Sequence, residues 1–349
     1  MKRLSDYVGN TPLIPIKIED RTIWGKAELM NPGGSVKDRM ATYILNDAEM
    51  RGKIIKGSTL IEATSGNTGI SFAMLAAERG YKMKIVMPCN MSEERKKIFN
   101  FYGAELIEVE AGNFDRAIEM RDSLAERFGW FNCNQFHNPL NIKAHYITTG
   151  PEIYNQYKEE NGEHAKPDVL IMGTGTGGTI MGTGKFLKEM WPKIKIVAIE
   201  PAESPVMSGG ESGLHGIQGI GDGSKFLVDL DFVDEVVTIK TKEAKDYAKN
   251  LSLNGIFVGI SAGANVKAAN KWLKDNNKTN AITILCDRGE RYFSCLLKVE
   301  LLEVDCMKTK KRLKTQFLIL GKNLEMILLY LVAEILMEQK NTLKNILLN

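Results

Sequence analysis

Asp168-Val-Leu-Ile-Met172, Gly173-Thr-Gly-Thr-Gly-Gly-Thr179 and Lys195-Ile-Val-Ala-Ile199 decide the fold when read together. The first and third runs are short and apolar, as strands buried on both faces are. Between them a glycine loop opens onto a helical pattern near residues 179–189. Strand, glycine turn, helix and strand make a βαβ unit, so the two strands should lie parallel.

The same unit recurs outward along the chain. Thr59-Leu-Ile-Glu-Ala63 reads as a strand, followed by Thr64-Ser-Gly-Asn-Thr-Gly69 and a helix over 68–79. Lys82-Met-Lys-Ile-Val-Met87 is the next strand; Pro88 and a helix over 92–101 follow, with Ser92 and Glu94 suited to its first turn. Glu105-Leu-Ile-Glu-Val109 and a helix over 114–128 repeat the pattern, and Ala281-Ile-Thr-Ile-Leu285 is a further buried strand. The alternation predicts an α/β fold with two lobes, each an open, mostly parallel twisted sheet flanked by helices. Residues 35–142 form a smaller, mobile lobe in this reading. Residues 1–34 plus 143–294 form the larger, cofactor-binding one. The ligand is expected in a cleft at the C-terminal ends of the strands.

Three loops carry chemistry. Gly173-x-Gly175-x-x-Gly178 follows a strand and opens a helix, and Glu200 ends the next strand, which taken alone is a dinucleotide-binding fingerprint. Its physics is anion binding by backbone N–H groups at a helix N-terminus. Thr174, Thr176 and Thr179 add hydroxyls that suit a terminal phosphate. The second loop, 64–69, also joins a strand to a helix start; its amides, with Thr64, Ser65 and Thr68, suit a carboxylate, while Asn67 is either a ring-oxygen donor or a turn residue. The third stretch, Asn31-Pro-Gly-Gly-Ser-Val-Lys-Asp-Arg39, sets Lys37 just inside a helix start behind a turn that brings backbone close to something. A plain helix cap is the alternative for Ser35 and Asp38. Gly259-Ile-Ser-Ala-Gly-Ala264 is another small-residue strand-to-helix turn, in which Ser261 is a cap or a polar contact. A placed amine beside a phosphate cradle is what holds pyridoxal 5'-phosphate.

Composition excludes other classes. At 349 residues, 44% hydrophobic and 26% charged, the chain can bury two lobes' worth of core. A net charge of +3 gives no basic patch for nucleic acid. Five cysteines without a CxxC pair fit a reducing cytoplasm, and four histidines without ligand spacing give no metal motif. No G-x-S-x-G elbow, signal peptide or membrane span is read. From 295 the composition changes: 15 leucines in 55 residues, no proline, nine basic and six acidic side chains. That pattern predicts one or two amphipathic helices packed on the body or on a partner subunit.

Ordered along 1–294, Gly9-Asn-Thr-Pro-Leu13, Asn31–Arg39, Glu62-Ala-Thr-Ser-Gly-Asn-Thr-Gly69, Pro88-x-Asn-Met-Ser-x-Glu-Arg95, Gly103-Ala-Glu-Leu106, Gln135-Phe-x-Asn-Pro139, His145-Tyr-x-Thr-Thr-Gly-Pro-Glu-Ile153, Gly175–Thr179, His215-x-Ile-Gln-Gly-Ile-Gly221 and Asp287-Arg-Gly-Glu-Arg-Tyr292 stand together. This set resembles the cysteine synthase/cystathionine β-synthase family of fold type II pyridoxal-phosphate enzymes. Glu62-Ala-Thr and Asp287-Arg-Gly lean toward the B-type cysteine synthases. The resemblance overrules the dinucleotide reading, since a nicotinamide enzyme needs neither Lys37 nor the 64–69 loop.

The resemblance implies that Lys37 is the Schiff-base lysine and catalytic base. Asn67 would donate to the cofactor's ring oxygen. Gly175, Thr176, Gly177, Gly178 and Thr179 would cup its phosphate, and Ser261 would face the pyridine nitrogen. Thr64, Ser65, Thr68 and Gln135 would hold the substrate carboxylate. The implied reaction is β-replacement through an α-aminoacrylate, forming L-cysteine from O-acetylserine and sulfide. The implied assembly is a homodimer, with serine acetyltransferase as a partner. Ala262 stands where many cysteine synthases have a second serine, which keeps homocysteine open as the acceptor; O-phosphoserine stays open as the donor. The resemblance stops after Ser294. The tail is then either an appended helical segment or an out-of-frame reading of the usual end, which also leaves open an impaired or partner-binding protein.

Overall fold

The computed structural model describes residues 2–221 and 224–296. The tail expected over 295–349 lies, from 297 onward, outside the described residues.

Two sheets organise the chain. The larger has the order β1 (Leu13–Ile18), β2 (Arg21–Lys26), β10 (Asn280–Ile284), β7 (Val169–Gly173), β8 (Lys195–Pro201), β9 (Glu235–Ile239). The smaller runs β5 (Glu105–Val109), β4 (Lys82–Pro88), β3 (Thr59–Ala63), β6 (Phe131–Asn132). All their pairings are parallel except β1 with β2, an N-terminal hairpin that adds an antiparallel edge to the larger sheet.

Strand periodicity explains how both faces are covered. Successive strand side chains point to opposite faces. Val169, Ile171, Val197 and Ile199 pack with Val266, Ala269 and Leu273 of α9 (Ile260–Asp275). Leu170, Met172, Ile196 and Ala198 turn the other way and pack with Ile180 and Leu187 of α7 (Gly178–Met190) and with Ile153 and Tyr157 of α6 (Thr149–Asn161). The smaller sheet repeats this. Leu60, Met83, Ile85 and Met87 meet Met40 and Ile44 of α1 (Lys37–Met50) and Phe72 and Leu75 of α2 (Asn67–Arg79). Ile61, Ala63 and Val86 meet Ala117 and Ala125 of α4 (Phe114–Phe128). Strands buried on both faces have no polar alternation, which is why they read in the sequence as continuous apolar runs.

Helix ends follow their sequence signals. Asn113 caps α4, accepting from Arg116 N at 3.0 Å, and Gly129 closes it in the left-handed region, as Gly80 closes α2. Two expectations need correction. Asp168 stands just before β7; its carboxylate accepts from the N–H groups of Thr279 and Asn280 (3.2 and 3.0 Å) and so fixes where β10 begins. The strand expected before Gly259 is only an isolated bridge between Val258 and Arg288, so Ser261 follows a loop. The chain there pairs with the segment after β10 and has no sheet neighbour to continue with.

Candidate active site

Lys37 is the first residue of α1. Both glycines before it are forced by their surroundings. A Cβ on Gly33 would lie 2.4 Å from Asp38 Oδ1, and one on Gly34 2.8 Å from an Arg291 guanidinium nitrogen; Gly34 also has φ +78°. Asn31 ties the turn together. Its Nδ2 donates to Glu28 Oε2 (2.7 Å) and to the Ser35 carbonyl (3.1 Å), and its Oδ1 accepts from Gly9 N (2.9 Å). One turn further, the buried Arg39 donates to Glu28 and Glu152, each at 2.7 Å, and Lys26 meets Glu152 at 2.7 Å. Two cations therefore face two anions under the lysine turn. Burial pulls the Glu152 carboxyl up, but Arg39 and Lys26 overcome it and hold it at about 2.

The glycine loop after β7 leads into α7. Gly177 caps the helix at φ +88°, and a Cβ there would reach within 2.6 Å of Val228. Gly178 does not line the cavity; it lies against Asn141, whose Oδ1 would be 2.0 Å from an added Cβ. Asn141 in turn donates to Thr176 Oγ1 and to the Gln135 carbonyl, both at 3.0 Å. Thr179 Oγ1 sits 3.2 Å from His145 Nε2, and His145 Nδ1 is 2.8 Å from Thr149 Oγ1. Burial, then the charges of Arg39 and Lys37, push the His145 pKa well below the usual histidine range, so the imidazole stays neutral. Asn265, fully buried on α9, accepts from Gly173 N (2.7 Å) and donates to the Ile284 carbonyl (2.8 Å). The start of the loop is thereby bound to the end of β10. The first N–H groups of α7 have no carbonyl within the helix to bond, so they are available to an anion.

Lys37, Asn67, Thr176, Thr179, Ser261 and Cys286 line an inner cavity of about 60 Å³, along with Gly175 and Gly177. Ser261, 4% exposed, lies in the first turn of α9; burial drives the neighbouring Cys286 thiol up to about 12, so it stays protonated. The outer cavity, about 430 Å³, lies within the range of ligand pockets. Lys37, Thr64, Ser65, Thr68 and Gln135 line it, and Lys37, Asn67 and Thr176 belong to both cavities. Thr68 Oγ1 donates to Gln135 Oε1 at 2.6 Å; Gln135 is fixed further by Glu62, which accepts from its N–H at 3.0 Å, and by the Ala63 carbonyl. The residues the resemblance assigns to cofactor and substrate thus line one or both cavities, except Gly178, which lies behind the loop.

Asn67 is placed differently from expectation. It lines the cavity, but its Nδ2 donates to Asp287 Oδ2 at 2.6 Å and its Oδ1 accepts from Arg291 at 2.5 Å. Sequence reasoning gave no roles to Asn141, His145, Asn265, Asp287 or Arg291. Several stand inside the quoted motifs, yet a lone polar residue on a helix carries no local mark of its distant partner. Glu200 is buried and accepts from Met207 N (2.7 Å) and Ser208 N (3.0 Å), so it organises the loop after β8 instead of awaiting a ribose. Among the described residues no group of three His, Cys, Asp or Glu is placed to hold a metal ion, and no helix is long and apolar enough to cross a membrane.

The set fits a phosphorylated aldehyde cofactor: an amine, a helix start with two hydroxyls for the phosphate, and an uncharged hydroxyl in the floor. Such a cleft defines an enzyme that works through a bound organic cofactor. The family model described as "Pyridoxal-phosphate dependent enzyme" matches residues 4–287. A cysteine synthase of Staphylococcus aureus (strain Mu50 / ATCC 700699) is 40% identical over 301 residues, covering 83% of this chain and 95% of the relative. The crystal structure of an O-ureido-L-serine synthase superposes with a TM-score of 0.81 at 35% identity, over 88% of this chain and 99% of that one. That of an O-acetylserine-dependent cystathionine β-synthase from Helicobacter pylori superposes at 0.76 with 35% identity, over 84% and 97%. The chain belongs to the pyridoxal-phosphate dependent enzymes, within their cysteine synthase/cystathionine β-synthase group.

Proposed function

We propose that the chain forms L-cysteine from O-acetyl-L-serine and sulfide. One observation carries this reading: Lys37 lies where the anion loop 173–179 and the second loop, 64–68, open on the same cleft. Pyridoxal phosphate, when bound, draws electrons from the α-carbon of an amino acid joined to it. Gly175, Thr176, Gly177 and Thr179 hold its phosphate, with Gly178 letting the loop seat against Asn141. Thr64, Ser65 and Thr68, at the start of α2, hold the substrate carboxylate, and Gln135 orients Thr68. Lys37 takes the Cα proton and later returns it there. Between those steps acetate leaves Cβ and hydrosulfide adds to it. Ser261 offers the ring nitrogen a neutral hydroxyl, which favours elimination at Cβ over transamination. The smaller lobe, 35–142, moves against 1–34 plus 143–294 to keep water out.

The breadth of the outer cavity and Ala262 favour a second nucleophile, homocysteine, which would yield cystathionine. The reading places a homodimer in the cytoplasm with serine acetyltransferase as its protein partner. Product analysis of the cofactor-loaded enzyme with O-acetylserine plus sulfide, and separately plus homocysteine, tests it. Cysteine as the main product supports the first reading. Cystathionine as the main product replaces it with the second, and release of pyruvate alone contradicts both.

A further inference from the structure

The segment after β10 touches both halves of the cleft. Its backbone runs against the lysine turn: Val36 N donates to the Cys286 carbonyl at 2.9 Å, Arg288 N to the Gly34 carbonyl at 3.3 Å, and Ser35 and Asp287 form an antiparallel bridge. Its side chains reach across to the start of α2. Asp287 accepts from Asn67 Nδ2, and Arg291 donates both to Asn67 Oδ1 and to the Gly33 carbonyl. Tyr292, fully buried, donates to Asp287 Oδ2 at 2.5 Å, and its ring lies 5.4 Å from the Arg95 guanidinium, which donates to the Ser65 carbonyl at 3.2 Å. The 64–68 loop is therefore tied directly at Asn67 to a segment 220 residues or more away in sequence, and at Ser65 to Arg95, which stands over the Tyr292 ring of that segment. That segment is also laddered to the backbone leading into Lys37.

We infer that Asp287, Arg291 and Tyr292 form a clamp that positions the substrate loop against the Lys37 turn, with Arg291 as its bridging residue. None of the three is assigned a part in the chemistry. Of the three side chains, that of Arg291 bonds both sides, because a guanidinium presents several donors in a fixed fork. A lysine at that position has a single nitrogen and cannot keep both bonds in the same geometry. The inference rests on the proposed role of the 64–68 loop in holding an amino-acid carboxylate.

The test compares the wild type with Arg291→Met and Arg291→Lys. In the apoenzymes, amide hydrogen exchange of residues 64–68 should quicken by roughly 10-fold or more in Arg291→Met, with residues 173–179 unchanged. In the loaded enzymes, L-methionine, which has no β-leaving group, should bind roughly 10-fold more weakly. KM for O-acetylserine should rise with it while kcat moves by less than about 3-fold. Arg291→Lys should fall between. Where Arg291→Met does not fold, Arg291→Lys decides. Wild-type exchange at 64–68 together with unchanged methionine affinity overturns the clamp. Lower thermal stability alone also overturns it. Methionine binding and exchange do not depend on turnover, so an enzyme that makes no cysteine refutes the proposed reaction and leaves the clamp to be judged on its own.

Discussion

The two loops that meet at Lys37 are both glycine turns between a parallel strand and a helix, yet they are held by opposite means. The anion loop, 173–179, is fixed by Asn141, Asn265 and the neutral His145. None of those supports gains or loses charge near neutral pH. The substrate loop, 64–68, is held by Asp287, Arg291 and Arg95, and α2 is tied to the lysine turn through Asp38, which accepts from Ser71 Oγ and Gly33 N at 2.5 Å each. A permanent anchor suits a cofactor that stays. Charged, exchangeable ties suit the role proposed for 64–68, taking and releasing a substrate in every turnover.

Lys37→Ala removes the side chain that both loops share. It should lower kcat for cysteine formation by about 10²–10⁴-fold with the thermal unfolding midpoint nearly unchanged. A stopped activity with a collapsed fold would mean that Lys37 is a structural residue.

Asp38 offers a pH test confined to the substrate side. Burial raises its pKa to about 6, against the pull of Ser71 and Gly33. The folded state keeps a proton that the unfolded chain releases near ~3.9. Its contribution to stability is therefore fully present below about pH 4 and lost as pH rises through 6, worth about 2–3 kcal/mol in all. Denaturant titrations should show that decline, and Asp38→Asn should flatten it. Glu152, held at about 2, behaves oppositely: its stabilisation is present above the unfolded glutamate value and fades only as pH falls toward 2. Protection of the 173–179 amides, whose supports Asn141, Asn265 and His145 stay uncharged, should change little between pH 5.5 and pH 8 (roughly 2-fold at most).

Gly178→Ala breaks the anchor instead. The new methyl must displace Asn141, and overpacking of this kind costs about 1–3 kcal/mol. Titration of apoenzyme with pyridoxal phosphate should show the loss in affinity, with little change in the hydrogen exchange of 64–68. Smallest of all, Thr68→Val deletes the 2.6 Å bond to Gln135 that orients this end of the loop. KM for O-acetylserine should rise by about 5–10-fold while cofactor affinity holds. If Thr68→Val weakened the cofactor as much as Gly178→Ala does, the division of labour between the loops would fall.

What the sequence revealed divides along physical lines. The strand Val169–Gly173 stood out because burial on both faces leaves an unbroken apolar run. β6 is two residues long and left no comparable mark. The loops were legible because anion binding needs glycines and hydroxyls close together in the chain. Their supports were not. Asn265 meets Gly173 across 92 residues, and Arg291 meets Asn67 across 224, so their meaning exists only once the sheets are assembled. Asn67 shows the same limit: its place in the cleft was readable, but its ties to Asp287 and Arg291 were not.

The central claim is that Lys37 is the amine on which the cofactor chemistry turns. Borohydride reduction of the pyridoxal-phosphate-loaded protein, followed by peptide mapping, tests it directly. The account predicts one phosphopyridoxyl adduct, on the peptide carrying Lys37, and none in Lys37→Ala. An adduct on a different lysine, or an unmodified Lys37 in protein that shows bound cofactor, would contradict it.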